Sequence, residues 1–394
     1  MKILVTGHRG YIGAHLVGLL KEAGHDVVGC DLDLFAGCGW EPVPLPDREI
    51  ARDVRSLMAR DLDGFDCVMH LAAISNDPMG DLDPEITRSI NARGSIALAR
   101  AAKAAGVPRF LFSSSCSIYG QAEGRPLAEE DALNPVSVYA ESKIAAEEGI
   151  TLLADRDFSP AYLRNATAYG HSPMLRIDLV VNNLLGCAVA KGDIRIMSDG
   201  TPWRPLIHCK DIARAFVAFL EAPRAVIHNQ RVNVGGDAEN YRVRDIAAIV
   251  QRLVPGTSIV YTGEVGKDPR DYRVDFTRLE KLLPDFRLEY TLAAGMEELL
   301  SRYRAHGFSA RDFDGDRFVR LRTLRHRLDR VTRRAAATDG LRVRCDFSRP
   351  RSMAPLSSSS TSARTIAASS PGHFASANSP WPVSIRALCR STIR

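Results

Sequence analysis

No run of apolar residues in this 394-residue chain approaches the roughly 18 that a bilayer-spanning helix needs. Its first residues enter a strand pattern directly, without a basic lead followed by a longer apolar core, so neither membrane insertion nor secretion is expected. Cysteine occurs 8 times but never as Cys-x-x-Cys, and no paired histidine spacing accompanies it. A zinc site is therefore not predicted, no metal is expected, and reduced thiols in a cytoplasmic protein are the plain reading. Basic surplus is missing from most of the chain as well. Residues 336–394 hold 8 Arg, no Lys and 2 Asp, so residues 1–335 carry 44 basic against 45 acidic side chains, while the whole chain stands at +5. Nucleic-acid binding by the folded part is accordingly not expected.

What is present begins at the N-terminus, where the apolar run Ile3–Val5 meets Thr6-Gly7-His8-Arg9-Gly10-Tyr11-Ile12-Gly13 and restarts as an amphipathic segment, Ala14–Ala23. This reads as strand, phosphate loop and helix. Gly7 would permit the tight turn, Gly10 the approach of backbone amides to a diphosphate, and Gly13 close packing of helix on strand. The helix N-terminus would face the anion. A second apolar run, Asp26–Cys30, ends on Asp31, placed either to accept hydrogen bonds from an adenosine ribose or simply to end a strand in solvent.

Farther on, Asp53-Val54 would contact an adenine edge or start a helix. Cys67–Ala73 reads as a buried strand whose last residues, Leu71, Ala72 and Ala73, are small enough at the end to border a bound cofactor. Ile90–Ala105 is predicted to be one helix, stopped by Gly106 and Pro108, with Asn91 holding a water or a neighbouring backbone group near the site. Phe110–Phe112 then runs into Ser113-Ser114-Ser115-Cys116-Ser117-Ile118-Tyr119-Gly120, an unusual concentration of hydroxyls at a strand end.

Asn134–Lys143 begins a helix with Pro135 near its start, and Tyr139 and Lys143, four apart, share one face. An ammonium at ~4 Å in an effective dielectric of ~20 contributes about 4 kcal/mol, or roughly three pKa units, toward a phenolate. Tyr139 would then take a proton from a sugar hydroxyl while Ser115 hydrogen-bonds the same oxygen. The alternative is an ordinary surface pair.

Taken in order and at these spacings, the Gly loop, Asp31, Asp53-Val54, Leu71-Ala72-Ala73, Asn91, Ser113–Gly120 and Tyr139 with Lys143 resemble the extended short-chain dehydrogenases/reductases. The closest resemblance is to the nucleotide-sugar epimerase/dehydratase branch that includes UDP-galactose 4-epimerase, and it covers residues 1 to about 330. It implies an α/β fold, a Rossmann-type doubly wound parallel sheet with a smaller C-terminal substrate-binding domain. The NAD-binding part would span 1–170 with a returning segment near 205–235, and the mainly substrate-binding part 171–330.

The resemblance further implies Ser115, Tyr139 and Lys143 as catalytic residues. The cofactor would be bound by Gly7, Arg9, Gly10, Tyr11, Ile12, Gly13, Asp31, Asp53, Val54, Leu71, Ala72, Ala73, Asn91, Tyr139 and Lys143. A nucleotide-diphosphate sugar would be held by Asn165, Asn183, Arg204 and Arg270, although a surface salt bridge is an alternative for Arg204; His208 is expected to be a structural hydrogen-bonder. A homodimer through the helix near residue 100 and the Tyr139 helix is expected. Asp31 favours NAD over NADP by repelling a 2′-phosphate, whereas Arg9 is the kind of residue that pairs with one.

The implied reaction is inversion at C4: Tyr139 removes the C4 hydroxyl proton as hydride passes to NAD, and the 4-keto sugar turns over before reduction on its other face. Dehydratases of this branch carry an acidic pair where this chain has Cys116 and Ser117, and an acid/base cysteine in related 3,5-epimerases aligns with Ser117. A one-residue shift points a strand side chain to the other face, so Cys116 is read as packing. A dehydratase, decarboxylase or 4-keto reductase is the alternative within the family, and a non-catalytic dinucleotide sensor the alternative outside it. Residues 335–394, rich in Ser, Pro, Arg and Ala, are expected to be disordered and dispensable for catalysis.

Overall fold

The computed structural model describes residues 1–122, 124–263 and 270–330; the tail over 335–394 and the Asp268-Pro269 dipeptide lie outside these. Within them, seven parallel strands form one sheet: β1 (Lys2–Thr6), β2 (Asp26–Cys30), β3 (Arg48–Ile50), β4 (Cys67–His70), β5 (Arg109–Ser115), β6 (Ser159–Asn165) and β7 (Arg231–Val234). Their spatial order is β3-β2-β1-β4-β5-β6-β7, so the direction of winding reverses between β1 and β4. This is a Rossmann-type α/β fold, and a ligand crevice is expected at that reversal, beyond the carboxyl ends of the strands.

Both faces of the sheet are covered, which is why its strands read as unbroken apolar runs rather than alternating ones. Side chains of a strand point alternately to opposite faces. Ile3, Val5 and Leu111 therefore pack with Leu16 and Val17 of the Gly13–Glu22 helix and Phe216 of the Cys209–Glu221 helix. Leu4, Phe110 and Phe112 pack on the other side with Leu98 of the Ser95–Ala104 helix and Ile150 of the Val138–Thr151 helix.

Two helical expectations shift. The predicted Ile90–Ala105 helix is split, a π-helical stretch Arg88–Gly94 preceding Ser95–Ala104. The Ser95 hydroxyl donates to the Asn91 carbonyl at 2.6 Å, and the Asn91 side chain is engaged elsewhere, which widens the turn there. The Tyr139 helix starts at Val138, because the Ser137 hydroxyl caps it by accepting from the Ala140 amide; Pro135 stays outside.

A second apolar cluster lies C-terminal to the main run of strands. A three-stranded sheet of Thr167–Tyr169, Trp203–His208 and Asn240–Arg242 and a two-stranded sheet of Asp193–Ile196 and Ser258–Tyr261 accompany it. Leu184, Ile246 and Leu299, from the Val180–Lys191, Val243–Leu253 and Leu292–Ala305 helices, form its centre. The chain then returns: residues 320–330 are helical, and Leu324 packs on Ile74, Met79, Ile86 and Ile90 beside the large sheet.

Candidate active site

One cleft opens at the carboxyl ends of β1, β2, β4, β5 and β6, bordered on the far side by residues 165–179, 270–272 and Arg320. Its floor is the glycine loop. Gly7 has φ +74, a left-handed turn open to glycine at little cost, and a Cβ there would lie 2.8 Å from the Ala72 amide nitrogen. At Gly13 a Cβ would strike the Gly7 carbonyl, so the close approach is to the loop's own backbone rather than to the strand. Both glycines, with Gly10, Tyr11 and Ile12, line the cleft, and the Gly13–Glu22 helix begins there with its positive dipole end toward it. The Tyr11 hydroxyl donates to the Gly170 carbonyl at 2.6 Å, which ties this loop to the opposite wall.

At the end of β2, Asp31 accepts from the Arg9 amide at 3.2 Å and the Asp33 amide at 2.8 Å. Burial raises its carboxyl above the ordinary range. Arg9, weighed above as a partner for a 2′-phosphate, is already engaged. Its guanidinium meets Glu49 at 2.6 Å and Asp33 at 3.1 Å, and the Glu49 hydrogen bond raises its pKa. A second phosphate on the ribose would face Asp31, Asp33 and Glu49 together. Asp53 caps the short Val54–Ser56 turn, accepting from the Arg55 amide at 2.9 Å, and both Asp53 and Val54 border the cleft. Leu71, Ala72 and Ala73 form the wall past β4.

At the end of β5 the four hydroxyls separate by role. Ser113 accepts from the Asn165 side-chain amide at 3.1 Å. Ser114 donates to buried Glu147 at 2.5 Å, itself paired with Arg164 at 2.7 Å, and is a structural group. Ser115 and Tyr139 line the cleft together, with Ser115 near enough to the phenol to favour its ionised form, and Ser117 has a buried oxygen without a protein partner. Cys116 is fully buried, its thiol donating to the Arg164 carbonyl at 3.0 Å, and burial raises its pKa far above that of a reactive thiol.

Tyr139 and Lys143 do share a face, and without the cofactor burial works against a phenolate near neutrality. Lys143 Nζ donates to the Ser113 carbonyl at 2.7 Å and stands 5.7 Å from the Tyr139 ring centre. Burial brings this ammonium down to about 7, so it is a weak source of positive field. Burial pushes the Tyr139 phenol up to about 12, and Asp77 adds to that; Ser115, Arg176 and Arg270 pull the other way. Desolvation therefore outweighs the charge pair in the protein without its cofactor.

Other sequence-derived candidates divide. Asn165 lines the cleft, and its Oδ1 is buried without a partner. Arg270 lines it too, ion-paired with Asp77 at 2.7 Å. Arg204 is buried behind Arg270, donating to the Arg270 and Trp203 carbonyls, and Asn183 donates to the Ile177 carbonyl at 3.0 Å; neither borders the cleft. Asn91 is also outside it. It holds the Ile74 backbone from both sides, at 2.8 and 3.0 Å, and so shapes the β4 wall from behind. His208 is fully buried, stacked on Tyr290, as a structural hydrogen-bonder would be.

Three charged groups escaped the sequence reading. Arg176 forms a fork on Asp178, at 3.0 and 2.9 Å, and reaches Ser75. Asp77 stands by Tyr139 and Arg270, and Arg320 arrives from the 320–330 helix. The Arg-x-Asp spacing just before the Val180–Lys191 helix was the only local signal for any of them.

A glycine cradle that excludes any Cβ, a ribose-ready carboxylate and a Tyr/Lys pair on one crevice define a dinucleotide-dependent short-chain dehydrogenase-like enzyme. The chain belongs to the NAD-dependent epimerase/dehydratase family, whose profile matches residues 3–235. It is 31% identical over 268 residues to the UDP-glucose 4-epimerase of Corynebacterium glutamicum, covering 64% of this chain and 80% of that one. Among solved structures it resembles MoeE5 in complex with UDP-glucuronic acid and NAD, at 29% identity and TM-score 0.67, covering 77% of this chain and 99% of that one. It also resembles the UDP-glucuronic acid 4-epimerase of Bacillus cereus with UDP-glucuronic acid and NAD, at 26% identity, TM-score 0.67 and the same coverage. The cofactor is NAD, and the residues present fit it: the glycine loop borders the cleft, and Ser117, Asn165 and Arg320, each with a buried polar atom lacking a protein hydrogen bond, are among the residues that line it.

Proposed function

We propose that this protein is an NAD-dependent epimerase of a UDP-sugar, inverting C4 through a transient 4-keto sugar. The observation that carries the reading is Tyr139 with Ser115 against its phenol and Lys143 one turn on, set across the cleft from the glycine loop. NAD, when bound, accepts and returns a hydride and in its oxidised form brings a positive charge beside the phenol. Tyr139 takes the proton from the C4 hydroxyl and later gives it back, and Ser115 steadies the same oxygen. Lys143, one turn on, favours the phenolate whenever its ammonium is protonated, and the positive charge of the bound cofactor acts in the same direction on the phenol. Ser117 and Asn165 offer hydrogen bonds to sugar hydroxyls, and Arg270 a charge for the substrate diphosphate. Cys116 and Ser117 carry no carboxyl to eliminate water, which favours epimerisation over dehydration.

The same reading takes the protein as a cytoplasmic homodimer, through the helices Ser95–Ala104 and Val138–Thr151. Free, buried thiols among the described residues accord with a reducing compartment, and no described helix is long and apolar enough to cross a membrane. Sedimentation of the purified chain tests the dimer. The reaction is tested by mass spectrometry with chromatography on UDP-, GDP-, CDP- and dTDP-sugars, with NAD, beside Tyr139→Phe. A new peak of unchanged mass, absent with the variant, is expected; a product lighter by water or carbon dioxide would overturn the epimerase assignment.

A further inference from the structure

We infer that Arg320, on the C-terminal helix, is a cofactor-binding residue whose guanidinium completes the site for the diphosphate of NAD. The inference rests on NAD occupying the cleft. Arg320 is 3% exposed, and its Nη2 donates to the Met174 carbonyl at 3.1 Å. Its Nη1 is buried without a protein partner, although the side chain lines the cleft. A buried charged donor left unmade is costly, so a ligand oxygen is its natural complement.

Position selects which oxygen. The guanidinium lies 4.7 Å over the ring of Phe35, four residues beyond Asp31, and close enough to Arg176, which holds Ser75, to feel its charge. It thus spans the segments that follow β2 and β4, flanking the reversal at β1 where a dinucleotide diphosphate crosses such a sheet. The helix is fastened to both lips. Leu324 is buried with Ile74, Met79, Ile86 and Ile90; Leu32, Leu34, Phe35, Leu321 and Leu328 pack against that same cluster, and Arg327 donates to the Ala36 carbonyl at 2.5 Å.

Charge argues the same way. NAD brings two negative phosphates, and the other arginines around its half of the cleft are matched by carboxylates: Arg9 by Glu49 and Asp33, Arg55 by Asp53, Arg176 by Asp178. Arg320 forms no ion pair within 4 Å with a described residue; burial and Arg176 lower its pKa to about 10, and Cys38 and Asp178 offset this only in part. A planar fork over the diphosphate supplies what the glycine loop, with its amides alone, does not.

The test is equilibrium binding of NAD, adenosine and UDP to the full chain, to Arg320→Gln and to Arg320→Lys, with thermal unfolding as the folding control. Arg320→Gln is expected to weaken NAD about ten- to hundredfold, the cost of losing one charge-assisted contact. Arg320→Lys should weaken it by a smaller factor, with adenosine and UDP unchanged in both. Should Arg320→Gln fail to fold, Arg320→Lys carries the test, since it keeps the charge and loses only the fork. Unchanged NAD binding with weakened UDP would assign the anion to the substrate and overturn the inference; no change in any ligand would reduce Arg320 to packing. Failure of the wild-type chain to bind NAD would instead overturn the cofactor reading on which the inference rests.

Discussion

The two walls of the cleft are made in different ways. The wall from β1, β2 and β4 is mostly backbone and small side chains: Gly7, Gly10, Gly13, Ala72 and Ala73, with Asp31 at a strand end. The facing wall is charged and assembled from afar, with Arg176 on Asp178 and Arg270 on Asp77. A backbone cradle suits a ligand part that every family member shares, because its geometry is set by conformations available to few residues. Convergent side chains suit a part that varies, because each can be exchanged without rebuilding the sheet.

The strongest way to sharpen this contrast is Tyr139→Phe. We expect turnover to fall about 10²- to 10⁴-fold, the range of a general acid–base group, with NAD still bound, measured by product formation beside NAD titration. Retained turnover would remove Tyr139 from the chemistry. Next comes Gly7→Ala on the backbone wall. A residue with a side chain at φ +74, meeting the Ala72 amide nitrogen at 2.8 Å, should cost about 1–3 kcal/mol of stability by denaturant titration and abolish NAD retention. An equally stable variant that keeps NAD would mean the loop is not a cradle.

Lys143 gives a prediction in pH. Burial lowers its folded pKa from 10.5 to about 7, so the unfolded chain binds more protons between those values. Stability of the cofactor-free protein should therefore rise with pH through that window, by about 2 kcal/mol from pH 7 to 9, and fall away as pH drops to 7. Lys143→Met should flatten that slope in urea melts; an identical slope would place its origin elsewhere. The smallest effect is expected from Arg9→Gln. With Asp31, Asp33 and Glu49 still around the ribose position, preference for NAD over NADP should persist, its ratio of affinities changing by less than about tenfold. A switch to NADP would show that Arg9, not the carboxylates, sets the choice.

Legibility in the sequence followed the same division. Gly7, Arg9–Gly13, Asp31, Leu71–Ala73, Ser115 and Tyr139 with Lys143 were readable because each belongs to a local pattern, a turn, a strand end or one helical turn, and all of these line the cleft. Asn183 and Arg204 were placed at the site by resemblance and lie behind or beside its lining, since a motif position does not say which way a side chain turns once its neighbours offer carbonyls, whereas Asn91 holds a neighbouring backbone group, one of the two roles read for it. The Tyr139 phenol shows the limit of spacing, which says that two groups are near, whereas their pKa values also depend on how much water packing removes.

By itself, then, the sequence determined the parallel α/β sheet, the glycine loop and the grouping of Ser115, Tyr139 and Lys143 proposed for catalysis, all products of short-range periodicity and backbone conformation. Only the tertiary structure decided that Arg9 is spent on Glu49 and Asp33, that Arg176 and Asp77 stand beside Tyr139, and that Arg320 closes over the crevice 320 positions from the chain's start. Contacts between segments so far apart depend on how whole layers pack, and no local pattern encodes that.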